Sequence, residues 1–244
     1  DHSKKASVMP ITIGYWDIRG LAAPCRMICE YGGLEYSVDL YTLKDGSKGA
    51  KWFGEDKPKH IKKNPLISLP YLITEDDDVV TQSNACFYYL GRKAGLLGAD
   101  DKTMTRSDQM ICQAYDLRAG AVALLYGGKD DYAAKAKPWL SESLGGGGSK
   151  SAKDHIAAIS ATLKVWGTKY VGGDKPCIAD MVLFEMLEMH EAWAKKEGCP
   201  SLLDANPEAM ALVEGLKADP KLAKYFASEA YTALPYNNIV ANFF

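Results

Sequence analysis

The six cysteines, Cys25, Cys29, Cys86, Cys112, Cys177 and Cys199, form no CxxC pair, and with four histidines they show no metal-ligand spacing. That argues against a dithiol redox centre and a metal cage. The cysteines read instead as small buried hydrophobes, with Cys25 and Cys29 on one helix face. No Asn-x-Ser/Thr sequon occurs, which fits a reduced compartment. Neither sign of charge dominates: 29 basic residues face 31 acidic ones, for a net charge of -2. Such a balance gives no electrostatic footprint for nucleic acid or an anionic membrane. The longest near-continuous apolar run, Ala119 to Tyr126, is far below the roughly 20 residues of a membrane span. The polar start Asp1 to Ser7 has no apolar signal-peptide core. These absences together predict a soluble, cytoplasmic protein with a small or neutral partner, no nucleic acid, no membrane and no metal.

What is present is an ordinary globular composition, 47% apolar and 25% charged over 244 residues, enough for one large domain or two modest ones. Residues 1 to 8 lack apolar periodicity and read as a leader, with Met9 as a candidate start. Pro10 to Trp16 alternates as a strand does, and Asp17-Ile18-Arg19-Gly20 breaks it. A helix follows, with Pro24 in its first turn and Gly32-Gly33 as its stop; Leu34 to Leu40 reads as a second strand. Strand, helix, strand over this span implies a parallel βαβ unit. Lys44 to Pro65, rich in Gly, Lys and Pro, reads as an irregular surface segment. Two short apolar runs, Tyr71 to Ile73 and Val79-Val80, flank the acidic turn Glu75 to Asp78 as a hairpin, and a helix runs from Ser83 to Ala94. Pro70, at the entry to the hairpin, is a candidate cis proline. Gln82 and Ser83 stand where a helix should begin, and free N–H groups there suit a carboxylate or phosphate.

From Lys102 onward the pattern is helical only. Met104, Ile111, Tyr115, Arg118, Val122 and Leu125 recur at three- to four-residue spacing within 102–127, and Ala152 to Tyr170 does the same. Cys177 to Trp193 is apolar nearly all round and should be the buried helix of a bundle. Pro207 and Pro220 suit the first turns of two shorter helices, and Gly145 to Gly148 reads as a flexible connection. The expected division is a first domain over 9–92, a linker over 93–101 and a helical domain with its tail over 102–244.

Three motifs in this order, Gly14-Tyr15-Trp16-Asp17-Ile18-Arg19-Gly20-Leu21-Ala22, Leu69-Pro70-Tyr71-Leu72-Ile73 and Thr81-Gln82-Ser83-Asn84-Ala85, resemble the cytosolic glutathione transferases. They are most similar to the mu class, near sigma and pi. The resemblance implies a thioredoxin-like α/β domain followed by an all-helical domain that supplies the electrophile pocket. It further implies a homodimeric, detoxifying transferase, with glutathione as co-substrate and a small hydrophobic electrophile as the second substrate. The alternatives on the same scaffold are a sigma-type glutathione-dependent prostaglandin isomerase and a non-catalytic, crystallin-like or ligand-binding relative.

The resemblance gives Tyr15 the catalytic role: its hydroxyl donates to the glutathione sulfur. A hydrogen bond to the charged form lowers a pKa. At about 1.5 to 3 kcal/mol for a charge-assisted bond and about 1.4 kcal/mol per pKa unit, one phenol lowers a thiol pKa by roughly one to two units. The plainer reading of Tyr15 is a strand tyrosine at a sheet edge.

Further glutathione contacts implied are Trp16 and Leu21 beside the thiol, backbone pairing by Leu69 before a cis Pro70, and Gln82 with Ser83 at the γ-glutamyl carboxylate. Trp52 with Lys57 or Lys51 would hold the glycyl carboxylate, although solvated surface lysines are an equal reading. The mu arginine three residues before the tryptophan is Gly49 here, and the lysine four after it falls on Asp56. A one-residue shift to Lys57 repairs the second loss only. Asp116 matches an acid that reaches glutathione in the other subunit, or is a solvated helix aspartate. Tyr126 matches a tyrosine of the electrophile pocket, or ends an apolar core run. Asp180 matches a folding acid whose capping hydroxyl is replaced by Cys177, and Leu66 stands where mu enzymes place an aromatic dimer key. His60, His155 and His190 read as surface or satisfied core residues.

Overall fold

The strand β1 (Ile11–Trp16) runs through the middle of a four-stranded sheet and carries the first motif. It pairs in parallel with β2 (Tyr36–Tyr41) and antiparallel with β3 (Tyr71–Ile73), which pairs antiparallel with β4 (Val79–Thr81), giving the order β2-β1-β3-β4. The computed structural model describes residues 10–44, 46–144 and 150–244, so the expected leader 1–8 and the run Gly145 to Gly148 lie outside the described residues. β2 starts two residues later than the sequence suggests and ends at Tyr41.

The crossover is α1 (Ala22–Gly32), which buries nearly every side chain because α3 (Ser83–Ala94) flanks it and α7 (Ile178–Glu197) of the helical part packs on it. It stops at Gly33, whose φ of 67° suits glycine and whose N–H returns to Cys29 and Glu30 carbonyls. Between β1 and β3, Gly14 faces Tyr71, and a Cβ there would lie 2.1 Å from the Tyr71 ring. Glycine is therefore what lets that ring cross the strand.

Most described residues of the segment 44–65 lie at the surface, as the composition suggests, but the segment is not irregular throughout. It holds a π-helical turn, Trp52–Asp56, running into α2 (Lys57–His60), and both Trp52 and His60 are buried. Among the described residues of the segment, these are the two buried side chains, set among lysines and glycines, a stripe too thin to show as periodicity. Trp52 stacks on Tyr71 at 5.8 Å within a second small core that includes Tyr41, with Trp16 and Leu69 packed against it.

The expected long helices appear as α4 (Asp101–Leu125), α6 (Ala152–Trp166) and α7, the last buried along most of its length. Between α4 and α6 stands α5 (Lys129–Ser141), which the sequence reading missed. Tyr132, Ala136, Trp139 and Leu140 face the core at helical spacing, but the stripe holds only these four residues and Pro138 sits inside the helix, against its propensity. Pro207 opens α8 (Pro207–Lys217) as expected, while Pro220 opens only a 3₁₀ turn, Pro220–Leu222, followed by α9 (Ala223–Ala227) and α10 (Glu229–Thr232).

One continuous core joins Ile11 and Ile13 of the sheet through α1 and α3 to Phe184, Trp193 and Phe243 of the helical part. Cys25, Cys29, Cys86 and Cys177 are buried in it, as small hydrophobes should be, whereas Cys112 is exposed. Asp180 accepts the N–H groups of Cys177 and Val171, each at 2.8 Å, so its carboxylate ties the preceding loop to the first turn of α7. His60, His155 and His190 are all buried; His155 is a core residue paired with Gln113, whereas among the described residues the Nδ1 of His60 and Nε2 of His190 have no partner, which corrects the expectation for those two.

Candidate active site

Tyr15 ends up at the seam between the sheet and the helices because β1 delivers it there and the turn Asp17 to Gly20 folds back over it. Its ring is 6% exposed, and its hydroxyl accepts the Leu21 backbone N–H at 3.3 Å. Gly20 has φ +40°, and a Cβ there would lie 2.9 Å from the Tyr15 hydroxyl. A side chain at position 20 would press on the phenol. Burial pushes the Tyr15 hydroxyl up to about 12, against the lowering effects of the Leu21 N–H and the Arg118 charge. The phenol therefore keeps its proton at neutral pH. Because its oxygen already accepts from Leu21, the O–H is left to donate elsewhere.

The turn is fixed from behind by a buried charge network. Arg19 reaches Glu185 at 2.7 Å and Glu188 at 2.8 Å, between the rings of Tyr231 and Tyr236, whose centroids lie 4.4 and 4.3 Å from its guanidinium. Lys217 adds a second cation to Glu188 at 2.7 Å. Burial raises Glu185 even beside Arg19; Glu188 also feels burial, but its bonds to Lys217 and Arg19 outweigh that and hold it low. The chain's tail joins the same turn: Arg19 N–H donates to Pro235 O at 2.7 Å and Gly20 N–H to Tyr236 O at 3.2 Å. Sequence reasoning missed this network, since its members are spread from residue 19 to 236 and share no motif.

Above Tyr15, a cavity of about 30 Å³ is lined by Arg118 and Leu125 of α4, Tyr126 just past its end, Met186 of α7 and Tyr236 and Asn237 of the tail. Tyr126 caps the end of α4, and its hydroxyl accepts the Asn238 N–H at 3.1 Å. Asn242 covers the same helix end, donating to the Leu124 and Gly127 carbonyls at 3.2 Å each. The tail thus spans both walls of the cavity.

The second motif enters from the sheet. The Leu69–Pro70 peptide is cis, and Leu69 and Trp16 pack against both cores. Gln82 is exposed and takes φ +72°, a left-handed conformation that costs a non-glycine residue energy and clusters at ligand sites. No side chain caps α3, and Ser83 Oγ instead meets the Tyr115 hydroxyl of α4. Lys51 pairs with Asp56 at 3.7 Å, and Asp56 also accepts the Tyr41 hydroxyl at 2.9 Å. Asp116 is exposed on α4 and does not line the cavity. Among the described residues, no cluster of three or more His, Cys, Asp or Glu side chains could hold a metal ion.

A βαβ and ββα sheet with a cis proline before β3, backed by a helical bundle and with a protonated tyrosine at their seam, is the architecture of a thioredoxin-like unit joined to a helical one. The model of the glutathione S-transferase N-terminal domain matches residues 11–92, and that of the C-terminal domain matches residues 115–229. The sequence is 30% identical over 240 residues to the glutathione S-transferase class-mu 26 kDa isozyme 51 of Fasciola hepatica, covering 96% of each chain. It is 31% identical over 229 residues to glutathione S-transferase Mu 1 of Oryctolagus cuniculus, covering 93% of this chain and 95% of that one. The fold matches that of the glutathione S-transferase Blo t 8, with a TM-score of 0.78 at 20% identity over 95% of this chain and 99% of the other. The chain belongs to the glutathione S-transferase family.

Proposed function

We propose that the protein binds glutathione in its first domain, holds the thiolate at Tyr15 and adds the sulfur to an apolar electrophile on the side of Tyr126. The observation that carries this reading is the Tyr15 hydroxyl, kept protonated by burial and accepting from Leu21, so that its O–H is free to donate to an incoming sulfur. Trp16 and Leu21 flank that point, Leu69 offers its backbone beside the cis Pro70, and Gln82 with Ser83 presents the start of α3 to the γ-glutamyl carboxylate. Tyr126 lines the electrophile side. The relatives' names favour neither the prostaglandin isomerase nor the non-catalytic alternative.

For the glycyl carboxylate, the reading places Lys57 beside Trp52. A regular helical turn would set Asp56 above Trp52. The π turn lets the Lys57 N–H reach the Trp52 carbonyl, five residues back, so Lys57 takes the place that a fourth residue normally holds. Asp56 is turned away to Tyr41 and Lys51, and among the described residues Lys57 has no ion-pair partner. In the cytosolic homodimer we propose, Leu66, 70% exposed, packs on the partner, and the exposed Asp116 reaches the glutathione amine held by the other subunit.

The test is Tyr15→Phe, assayed for glutathione conjugation to a chlorodinitrobenzene across pH. The expected result is an acid limb shifted upward by roughly one to two pH units, the worth of one charge-assisted hydrogen bond. An unchanged profile would remove Tyr15 from the mechanism.

A further inference from the structure

Arg26 lies in the middle of α1, and one arm of its guanidinium donates to the Ile18 carbonyl at 3.0 Å, in the turn that folds over Tyr15. Its Nε and Nη1 are buried and have no partner among the described residues. Across the packed pair of α1 and α9, the Tyr225 hydroxyl is likewise buried and unpartnered, and both residues are 1% exposed. The two groups lie within electrostatic reach, since the Arg26 charge favours ionisation of Tyr225. The surrounding carboxylates are already spent. Glu185 is bonded to Arg19, and Glu188 to Arg19 and Lys217. Glu30, one turn along α1, pairs with Lys224 at 3.8 Å and accepts the Tyr36 hydroxyl at 3.1 Å. Three cations, Arg19, Lys217 and Arg26, thus stand around two buried carboxylates, and among the described residues Arg26 is the one without an ion pair. A buried charge is costly unless it is both paired and hydrogen-bonded.

We propose that Arg26 and Tyr225 form an internal binding site for one small anion, a halide such as chloride, held between α1 and α9 behind the turn that covers Tyr15. The chemistry of the unspent atoms selects the ligand. Guanidinium nitrogens can only donate. Burial raises the Tyr225 hydroxyl above the ordinary tyrosine range, so it keeps its proton and has that proton to donate. A water molecule could accept from these donors, but it brings two hydrogens of its own and leaves the Arg26 charge unbalanced. A halide accepts from the Arg26 Nε–H, the Nη1–H and the Tyr225 O–H and cancels the charge. Such charge-assisted bonds are roughly twice as strong as neutral ones. A phosphate or carboxylate carries further oxygens that need donors, and this cluster offers none. The site does not depend on the chemistry assigned to Tyr15, yet it bears on it. Arg26 favours ionisation of the Tyr15 hydroxyl, and an anion held at Arg26 offsets that effect and helps keep the phenol protonated.

The experiment follows thermal unfolding of the full chain at fixed ionic strength as chloride replaces methanesulfonate, in the unaltered protein, in Tyr225→Phe and in Arg26→Met. Crystals of the unaltered protein are also soaked in bromide and measured by anomalous scattering. The expected result is a Tm that rises with chloride, by about 2 to 4 °C for each fivefold increase above half-saturation. An anomalous peak should lie between the Arg26 guanidinium and the Tyr225 hydroxyl. Tyr225→Phe, which keeps the ring and its packing, should raise the chloride concentration needed about tenfold or more. Arg26→Met should abolish the dependence; if it does not fold, Tyr225→Phe and the bromide peak decide the matter. A Tm that ignores chloride, or one that responds equally in Tyr225→Phe, overturns the proposal. Density at the site without anomalous signal identifies a water molecule and overturns it too. So does a bromide peak with no chloride dependence of Tm, which marks binding at crystal concentration only.

Discussion

Arg19 and Glu185, 166 residues apart in sequence, meet at 2.7 Å in the interior, and their contact joins the turn after β1 to the central helix of the bundle. Glu188 and the rings of Tyr231 and Tyr236 complete the enclosure. Removing one partner of a buried pair leaves the other charge without compensation, which typically costs about 3 to 5 kcal/mol. Arg19→Leu is expected to destabilise the fold by an amount in that range, measured by urea denaturation at pH 7. A loss below about 1 kcal/mol would show that Lys217 and solvent already satisfy the two glutamates.

Gly20→Ala tests whether the turn sets the position of the phenol. The added methyl would sit 2.9 Å from the Tyr15 hydroxyl, on a residue whose φ of +40° already resists a side chain. Displacing a catalytic group by about 1 Å can cost roughly 100-fold in rate. The expected outcome is a fall in kcat/KM of about tenfold or more, with a smaller change in KM for glutathione, since Leu69, Gln82 and Ser83, the proposed contacts of the rest of the tripeptide, lie outside this turn. Steady-state kinetics with glutathione varied would separate the two parameters.

The assignment of Lys57 through the π turn makes a comparison possible with its neighbour. Lys57→Ala is expected to raise KM for glutathione about fivefold, the worth of about 1 kcal/mol. Lys51→Ala should leave it within about twofold, because Lys51 pairs with Asp56 and lies over the Tyr41 ring at 5.3 Å. The reverse ranking would transfer the glycyl contact to Lys51.

His190 gives the fold a pH dependence. Burial lowers its pKa to about 4, against the raising effect of its bond to the Met186 carbonyl at 2.7 Å. Above about pH 6.5 both the folded and unfolded states hold it neutral. As pH falls from there towards 4, the unfolded chain takes up the proton first, so stability declines, by about 3 kcal/mol in all. In His190→Gln, which keeps an N–H donor and cannot be protonated, the loss of urea stability between pH 7 and pH 4.5 should be smaller by most of that amount. Parallel losses in both proteins would assign the acid sensitivity to other groups.

The elements that announced themselves did so through local chemistry. β1, the hairpin and the start of α3 were legible because alternation, turn residues and a helix-start signal lie within a few residues of one another. The buried face of α7 was legible because apolar residues surround it on every side. α5 and the π turn were not: the stripe of α5 is short and interrupted in propensity by Pro138, and the π turn is held by Trp52 and His60 packing on distant elements. Tyr15, Leu69, Gln82 and Ser83 could be picked out by motif. Arg118 entered the sequence reading only as one member of a helical repeat.

The sequence by itself determined the family, the βαβ and ββα order of the sheet and the tyrosine on which the proposed chemistry turns, because these depend on short runs of residues whose propensities and motifs are local. Only the tertiary structure decided which charges are cancelled and which remain available. Arg19 and Arg118 are alike as residues, yet one is neutralised between two glutamates and two aromatic rings while the other faces the cavity without a partner. That difference comes from the packing of α7 and the tail against the turn after β1. Electrostatic interaction depends on distance and burial, and neither is a property of a residue's place along the chain.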